Sequence, residues 1–179
     1  MMPPDPHPPA AHVELQLEAD QLHLIPAPPA MPYSMALGWR QVVQAFGERM
    51  PTALRLENAI ALVEDAVMPA VRALPAAPFV MCTSSPPLRE LAQAAGADLH
   101  HQPARLSRSA VEHLFNRLAD QAERGSYTDP ALPQRPDLAA ALLILREALH
   151  HWGVEWLEFK GQERLTQPSQ PQVCGQNEA

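Results

Sequence analysis

The stretch Phe79-Val80-Met81-Cys82-Thr83-Ser84-Ser85-Pro86-Pro87 decides how this chain is read. Five residues from Phe79 to Thr83 form a short apolar run without helical spacing, bounded by Pro78 and Pro86, which is the pattern of a buried strand. Proline suits the first helical positions, because its missing N–H is one of the donors a helix start leaves unpaired anyway. A helix therefore runs from Pro87 through Ala95, with Gly96 as its stop. Ala97-Asp98-Leu99-His100 then reads as a second short strand. Strand, helix, strand is the order of a βαβ unit, whose two strands run parallel.

Toward the N-terminus, Val13, Leu15 and Leu17 alternate with Glu14, Gln16 and Glu18, a period of two that marks a half-buried strand. A turn at Ala19-Asp20 leads into Gln21–Ile25 and makes a hairpin, followed by an extended connector through Pro26, Pro28, Pro29 and Pro32. Residues 34–50 carry an apolar stripe of Met35, Trp39, Val42, Val43, Phe46 and Met50, the face of an amphipathic helix capped by Ser34 and stopped by Pro51. A second helix runs from the Thr52 cap to about Leu74, with a kink or break expected at Pro69. So short a link predicts that the two helices pack antiparallel.

Toward the C-terminus, Ser109-x-x-Glu112 has the form of a capping box, with Ser107 as the alternative start of the same helix, which ends at Gly125. Asp137 caps a last helix that stops at Gly153, and Val154–Phe159 closes as a strand. The whole is an α+β domain, mostly helical, with four to five helices packed on a small mixed β-sheet over residues 12–160. Residues 1–11 and 161–179 are expected as disordered tails, the first proline-rich. Trp39, Phe46, Phe79, Phe115, Trp152, Trp156 and Phe159 are expected in or near the core.

Composition excludes several classes. The 179 residues carry a formal charge of -7, but the four acids of residues 1–33 meet no base there. The middle, 34–160, sets 14 acids against 12 bases and is close to neutral. No basic excess supports phosphate neutralisation of nucleic acid. No apolar run reaches the roughly 18 residues of a membrane span. Two cysteines, Cys82 and Cys174, make no disulfide scaffold, and the N-terminus lacks the basic and apolar segments of a secretory signal. A bacterial cytoplasmic protein with reduced thiols is expected, its single lysine, Lys160, reflecting a GC-rich genome.

The candidate ligand-binding residues are Cys82, Thr83, Ser84, Ser85 and Arg89. They stand where a strand gives way to a helix, a place where hydroxyls, backbone N–H groups and the helix dipole together favour an anion. A cysteine-phosphatase loop fails on spacing, since six residues rather than five separate Cys82 from Arg89 and two of them are prolines. Seven single glycines build neither a dinucleotide-binding nor a Walker-type loop, and no Gly-x-Ser-x-Gly elbow occurs. His100-His101, His113 and His150-His151 show no metal-ligand spacing and read as surface and capping histidines. Glu57 and Glu64-Asp65 read as a solvated helix face. No catalytic constellation, metal or cofactor is expected.

With no constellation passing its spacing test, the leading expectation is a non-enzymatic accessory or adaptor protein for assembly or maturation, acting through protein–protein contacts with an unidentified partner. The alternative is a small-anion-binding protein or enzyme using the Cys82–Ser85 loop. A DNA-binding regulator is the third reading, and the acids Glu112, Asp120 and Glu123 interleaved among Arg108, Arg117 and Arg124 count against it.

Overall fold

A computed structural model describes residues 11–76, 78–101 and 103–161. The expected tails lie almost wholly outside these residues. The protein is α+β, and the described residues form five helices on one six-stranded mixed sheet.

The alternating N-terminal stretch forms β1 (Ala11–Leu17), which turns into β2 (Leu22–Pro26) as an antiparallel hairpin with Leu17 opposite Leu22. Its apolar set, Val13, Leu15, Leu17, Leu22 and Leu24, is buried, and the intervening residues are not. A short edge strand, β3 (Tyr33–Met35), pairs with β2, so Met35 belongs to the sheet rather than to the helix predicted over it. The helix α1 (Trp39–Phe46) starts four residues later, where Gln41 Oε1 accepts the Gly38 N–H at 2.9 Å. The helix α2 (Ala53–Ala70) ends one residue past Pro69 and tightens into a 3-10 turn, Val71–Ala73, in keeping with the break expected there.

Strand β4 (Phe79–Thr83) and helix α3 (Pro86–Ala94) fall where the deciding stretch places them. The second strand of the expected βαβ unit does not. Asp98 folds its carboxylate back onto the His100 N–H at 2.9 Å and onto His101, a local alternative to strand pairing. The strand after α3 is β5 (Ala104–Ser107), antiparallel to its neighbour. The parallel partner of β4 is the closing strand β6 (Trp156–Phe159), with Thr83 opposite Phe159. On the other side β4 is also parallel to β1. The sheet order is β3-β2-β1-β4-β6-β5, with a parallel trio at its centre.

Ser107, not Ser109, caps α4 (Arg108–Arg124): its hydroxyl accepts the Ala110 N–H at 3.1 Å. Glu112 turns outward to Arg108 and His150 instead of closing a capping box. In α5 (Pro136–His151), Pro136 takes the first helical position and Asp137 sits in the first turn against Arg135, rather than capping. This helix is apolar almost all round, and 11 of its 16 residues are buried. Such a helix must be covered on every side, and α5 contacts α1, α2, α3 and α4.

Buried side chains on β1, β2, β4 and β6 share one face of the sheet, Leu15, Leu24, Met81 and Leu157 among them. The opposite face carries His12, Glu14, His23, Val80, Arg105 and Glu158, none of them buried. Trp156 follows that parity and is 53% exposed, which corrects its place in the expected core. Among the described residues, no helix is long and apolar enough to cross a membrane.

Candidate functional site

The carboxyl ends of β1, β4 and β6 lie side by side, the position at which open sheets with parallel strands receive ligands. The residues after β4 are those singled out from the sequence, and the structure divides them into two groups.

Thr83 and Ser85 are buried, and their hydroxyls are consumed by the fold. Thr83 Oγ1 donates to the Leu15 carbonyl at 2.7 Å and accepts the Ser85 N–H at 3.1 Å. Ser85 Oγ accepts the Leu17 N–H at 2.9 Å, so the residue at the N-cap of α3 gives its oxygen to β1 and not to its own helix. Pro86 and Pro87 supply no N–H. The backbone anion cradle expected at this helix start is therefore largely missing.

Cys82 is also withdrawn. It is 7% exposed, with Sγ 3.6 Å from the Val13 carbonyl oxygen. Burial, with lesser contributions from Glu14 and Glu158, pushes its thiol above the ordinary range against the pull of Lys160. A thiol so placed is a poor nucleophile.

Ser84 and Arg89 remain available, and they meet two residues that sequence reasoning missed. Ser84 Oγ donates to Glu14 Oε1 at 2.8 Å, and Lys160 Nζ donates to Glu14 Oε2 at 2.6 Å. Arg89 donates to the Lys160 carbonyl at 2.8 Å and lies over the Phe159 ring. A hydroxyl and an ammonium thus converge on one carboxylate, with a guanidinium behind them. Burial pushes the Glu14 carboxyl up, but the hydrogen bonds from Lys160, Ser84 and Gln16 outweigh it and hold it below its ordinary range. The adjoining cleft on the open face is lined by His12, Glu14, Ile25, Pro26, Cys82 and Lys160. Lys160 is the single lysine of a chain rich in arginine, a signal read from the sequence only as genome composition.

Among the described residues, one set of groups has its donor atoms close enough to hold a metal: Glu64, Glu147 and His151, between α2 and α5. His101 pairs with Asp98, and His150 stands 3.8 Å from Glu112, both at the surface as expected.

No protein-family profile matches the chain, and no curated protein matches it in sequence. Its fold, in contrast, is similar to several solved structures. A Ppx/GppA phosphatase of Aquifex aeolicus superposes with a TM-score of 0.62 at 11% identity, over 85% of this chain and 53% of that one. An exopolyphosphatase from Cytophaga hutchinsonii gives 0.63 at 13% identity, over 84% and 53%. An exopolyphosphatase-like protein gives 0.60 at 16% identity, over 84% and 56%. At such identities the likeness is one of fold, and the chain spans about half the length of these proteins. It overturns the expectation of a non-enzymatic adaptor acting through protein–protein contacts. The architecture is one carried by phosphatases, and the small-anion alternative accords with it better.

Proposed function

We propose that this chain binds a phosphate-class anion at the carboxyl ends of β4 and β6, through Ser84, Lys160 and Arg89, and that the reaction class to be sought is phosphoryl-group hydrolysis or transfer. The observation that carries this reading is the convergence of Ser84 Oγ–H and Lys160 Nζ on the two oxygens of Glu14. Two donors spaced to hold one carboxylate are spaced to hold two oxygens of a phosphate, and a charge-assisted pair of this kind is among the stronger hydrogen-bonding arrangements. Glu14 then acts as an internal anion that the ligand displaces. The resemblance of fold to exopolyphosphatases supports the choice of phosphate over carboxylate ligands. With the loop short of N–H donors, side chains carry the binding. A cytoplasmic setting accords with this reading, in which Cys82 stands as a free thiol.

The test is calorimetric titration with inorganic phosphate, pyrophosphate and short polyphosphate, with release of phosphate followed in parallel. Ser84→Ala and Lys160→Met should each weaken binding about tenfold, the loss of one charge-assisted hydrogen bond. Glu14→Gln should tighten it, because the competing anion is gone. Failure of all three anions to bind, together with no phosphate release, rejects the reading.

A further inference from the structure

Among the described residues, Glu147 on α5 is the one charged side chain that is completely buried. Its Oε1 meets Arg146, while among the described residues no hydrogen-bond partner reaches its Oε2. One helical turn on, His151 Nε2 is likewise buried and without a hydrogen-bond partner. Glu64 completes the group from α2. His151 Nε2 lies 3.5 Å from Glu147 Oε2 and 3.5 Å from Glu64 Oε1, and the three donor atoms all fall within 4.8 Å of one another. The helices are fixed against each other at this level, since Trp152 Nε1 donates to the Val67 carbonyl at 2.8 Å. Val67 is one turn from Glu64, and Trp152 adjoins His151, so the donor set is held by a rigid clamp.

We propose that Glu64, Glu147 and His151 bind one divalent transition-metal ion, Zn(II) above all, between α2 and α5. Ligands about 2.0–2.1 Å from a tetrahedral zinc stand roughly 3.3–3.4 Å from each other, close to the two distances of 3.5 Å from His151, while the two carboxylates need only draw together from within 4.8 Å. One imidazole with two carboxylates suits zinc and its neighbours, whereas calcium and magnesium take oxygen donors alone. The ion gives both unpartnered buried atoms a partner, which relieves the cost of leaving them unsatisfied. It sits in the last turn of α5, where the helix dipole favours positive charge. Glu64, 38% exposed, leaves the fourth position open toward solvent and provides the path of entry. The site precedes β6, at the opposite end of that strand from Lys160, so its role is to cross-link two helices of the core and not to contact the anion.

The full chain, freed of metal with a chelator, is titrated calorimetrically with Zn(II), and Co(II) is added separately as a spectroscopic probe. One ion per chain is expected, with Co(II) d–d bands of nitrogen and oxygen ligation and a melting temperature that rises with Zn(II). Glu64→Gln and His151→Gln lie at the partly exposed side, and each should lower affinity at least tenfold while the far-ultraviolet circular dichroism stays unchanged. Asp98→Asn, at the surface pair with His101, should leave binding as it was. No uptake of Zn(II) by the folded chain at millimolar concentration overturns the proposal. So does uptake undiminished in both variants. Either result leaves a direct contact of His151 with the two carboxylates and no ion between them.

Discussion

Ser85 Oγ accepts a hydrogen bond from the Leu17 N–H at 2.9 Å, joining two residues 68 positions apart across the ends of β1 and β4. The end of β1 is thereby closed by a side chain of the neighbouring strand's loop. Ser85→Ala removes the acceptor and leaves a buried amide unpaired, at a cost of about 1–3 kcal/mol. For a domain of this size that is a fall in melting temperature of roughly 2–4 °C per kcal/mol. Urea unfolding should show it without a change in slope. Ser84→Ala, one residue away but exposed, should leave stability nearly unaltered and so separates the two hydroxyls.

Gly38 is held by a close approach and not by an unusual dihedral. A Cβ placed there would stand 2.2 Å from the Ala19 carbonyl oxygen and 2.5 Å from the Asp20 amide nitrogen, both backbone atoms. The same contact carries hydrogen bonds from the α1 start to the hairpin turn, with Arg40 N–H donating to the Ala19 carbonyl at 2.9 Å. Gly38→Ala must push the turn and the helix apart, and overpacking of this kind costs typically about 1–3 kcal/mol. Thermal unfolding should register the loss, and amide exchange at Trp39 and Arg40 should quicken.

That contact also shows where the sequence stopped being informative. Met35 and Trp39 stand four apart, and their spacing fits a helix face; only the pairing of β3 with β2 and the seat of Gly38 on Ala19 delay the helix start to Trp39, and neither is local. The strands β1, β4 and β6 were legible because each carries its own alternation or apolar run. Of the anion site, Ser84 and Arg89 were visible as residues after a strand. Glu14 and Lys160 reach Ser84 only through sheet order, from 70 residues before it and 76 after. Glu147 left a trace, since Arg146-Glu147 is a charged pair inside the otherwise apolar run Leu142–Leu149, and a helix covered on all sides does not tolerate an unpartnered charge.

The Glu14 carboxyl titrates below its ordinary value of 4.5 in the folded protein, with burial raising it and Lys160, Ser84 and Gln16 lowering it further. A depressed folded-state pKa means that the unfolded chain binds the proton more tightly. The contribution to stability is therefore fully present above the unfolded value and is lost as pH falls below about 4.5 through the folded one. Asp98 and Asp129 shift the same way, through His100 and His101 for the first and Arg117 for the second. Stability measured from pH 6 downward should decline in that window, and Glu14→Gln should flatten the decline. An equal slope in wild type and variant would show that Glu14 is not a source of it.

Arg146 and Glu147 form a pair in which only one member can reach water: the arginine is 26% exposed and stacks over Phe115, while the carboxylate is fully enclosed. Arg146→Met keeps the apolar stem over the ring but leaves the carboxylate without its cation. Breaking a buried pair in this way costs about 3–5 kcal/mol, because the remaining charge has no solvent to turn to. Replacing both residues, Arg146→Met with Glu147→Leu, removes the charge along with its partner and should recover most of that loss, as buried pairs exchanged for apolar residues of similar volume often do. The double variant should therefore be more stable than Arg146→Met alone, a non-additivity that denaturation curves of the four members of the cycle measure directly. Zn(II) supplies the enclosed carboxylate with a second cation, so the Arg146→Met penalty should shrink when zinc is present and return when it is chelated. Because the double variant lacks the carboxylate ligand, zinc should restore less stability to it, which ties the thermodynamic cycle to the ion and not to a general effect of salt.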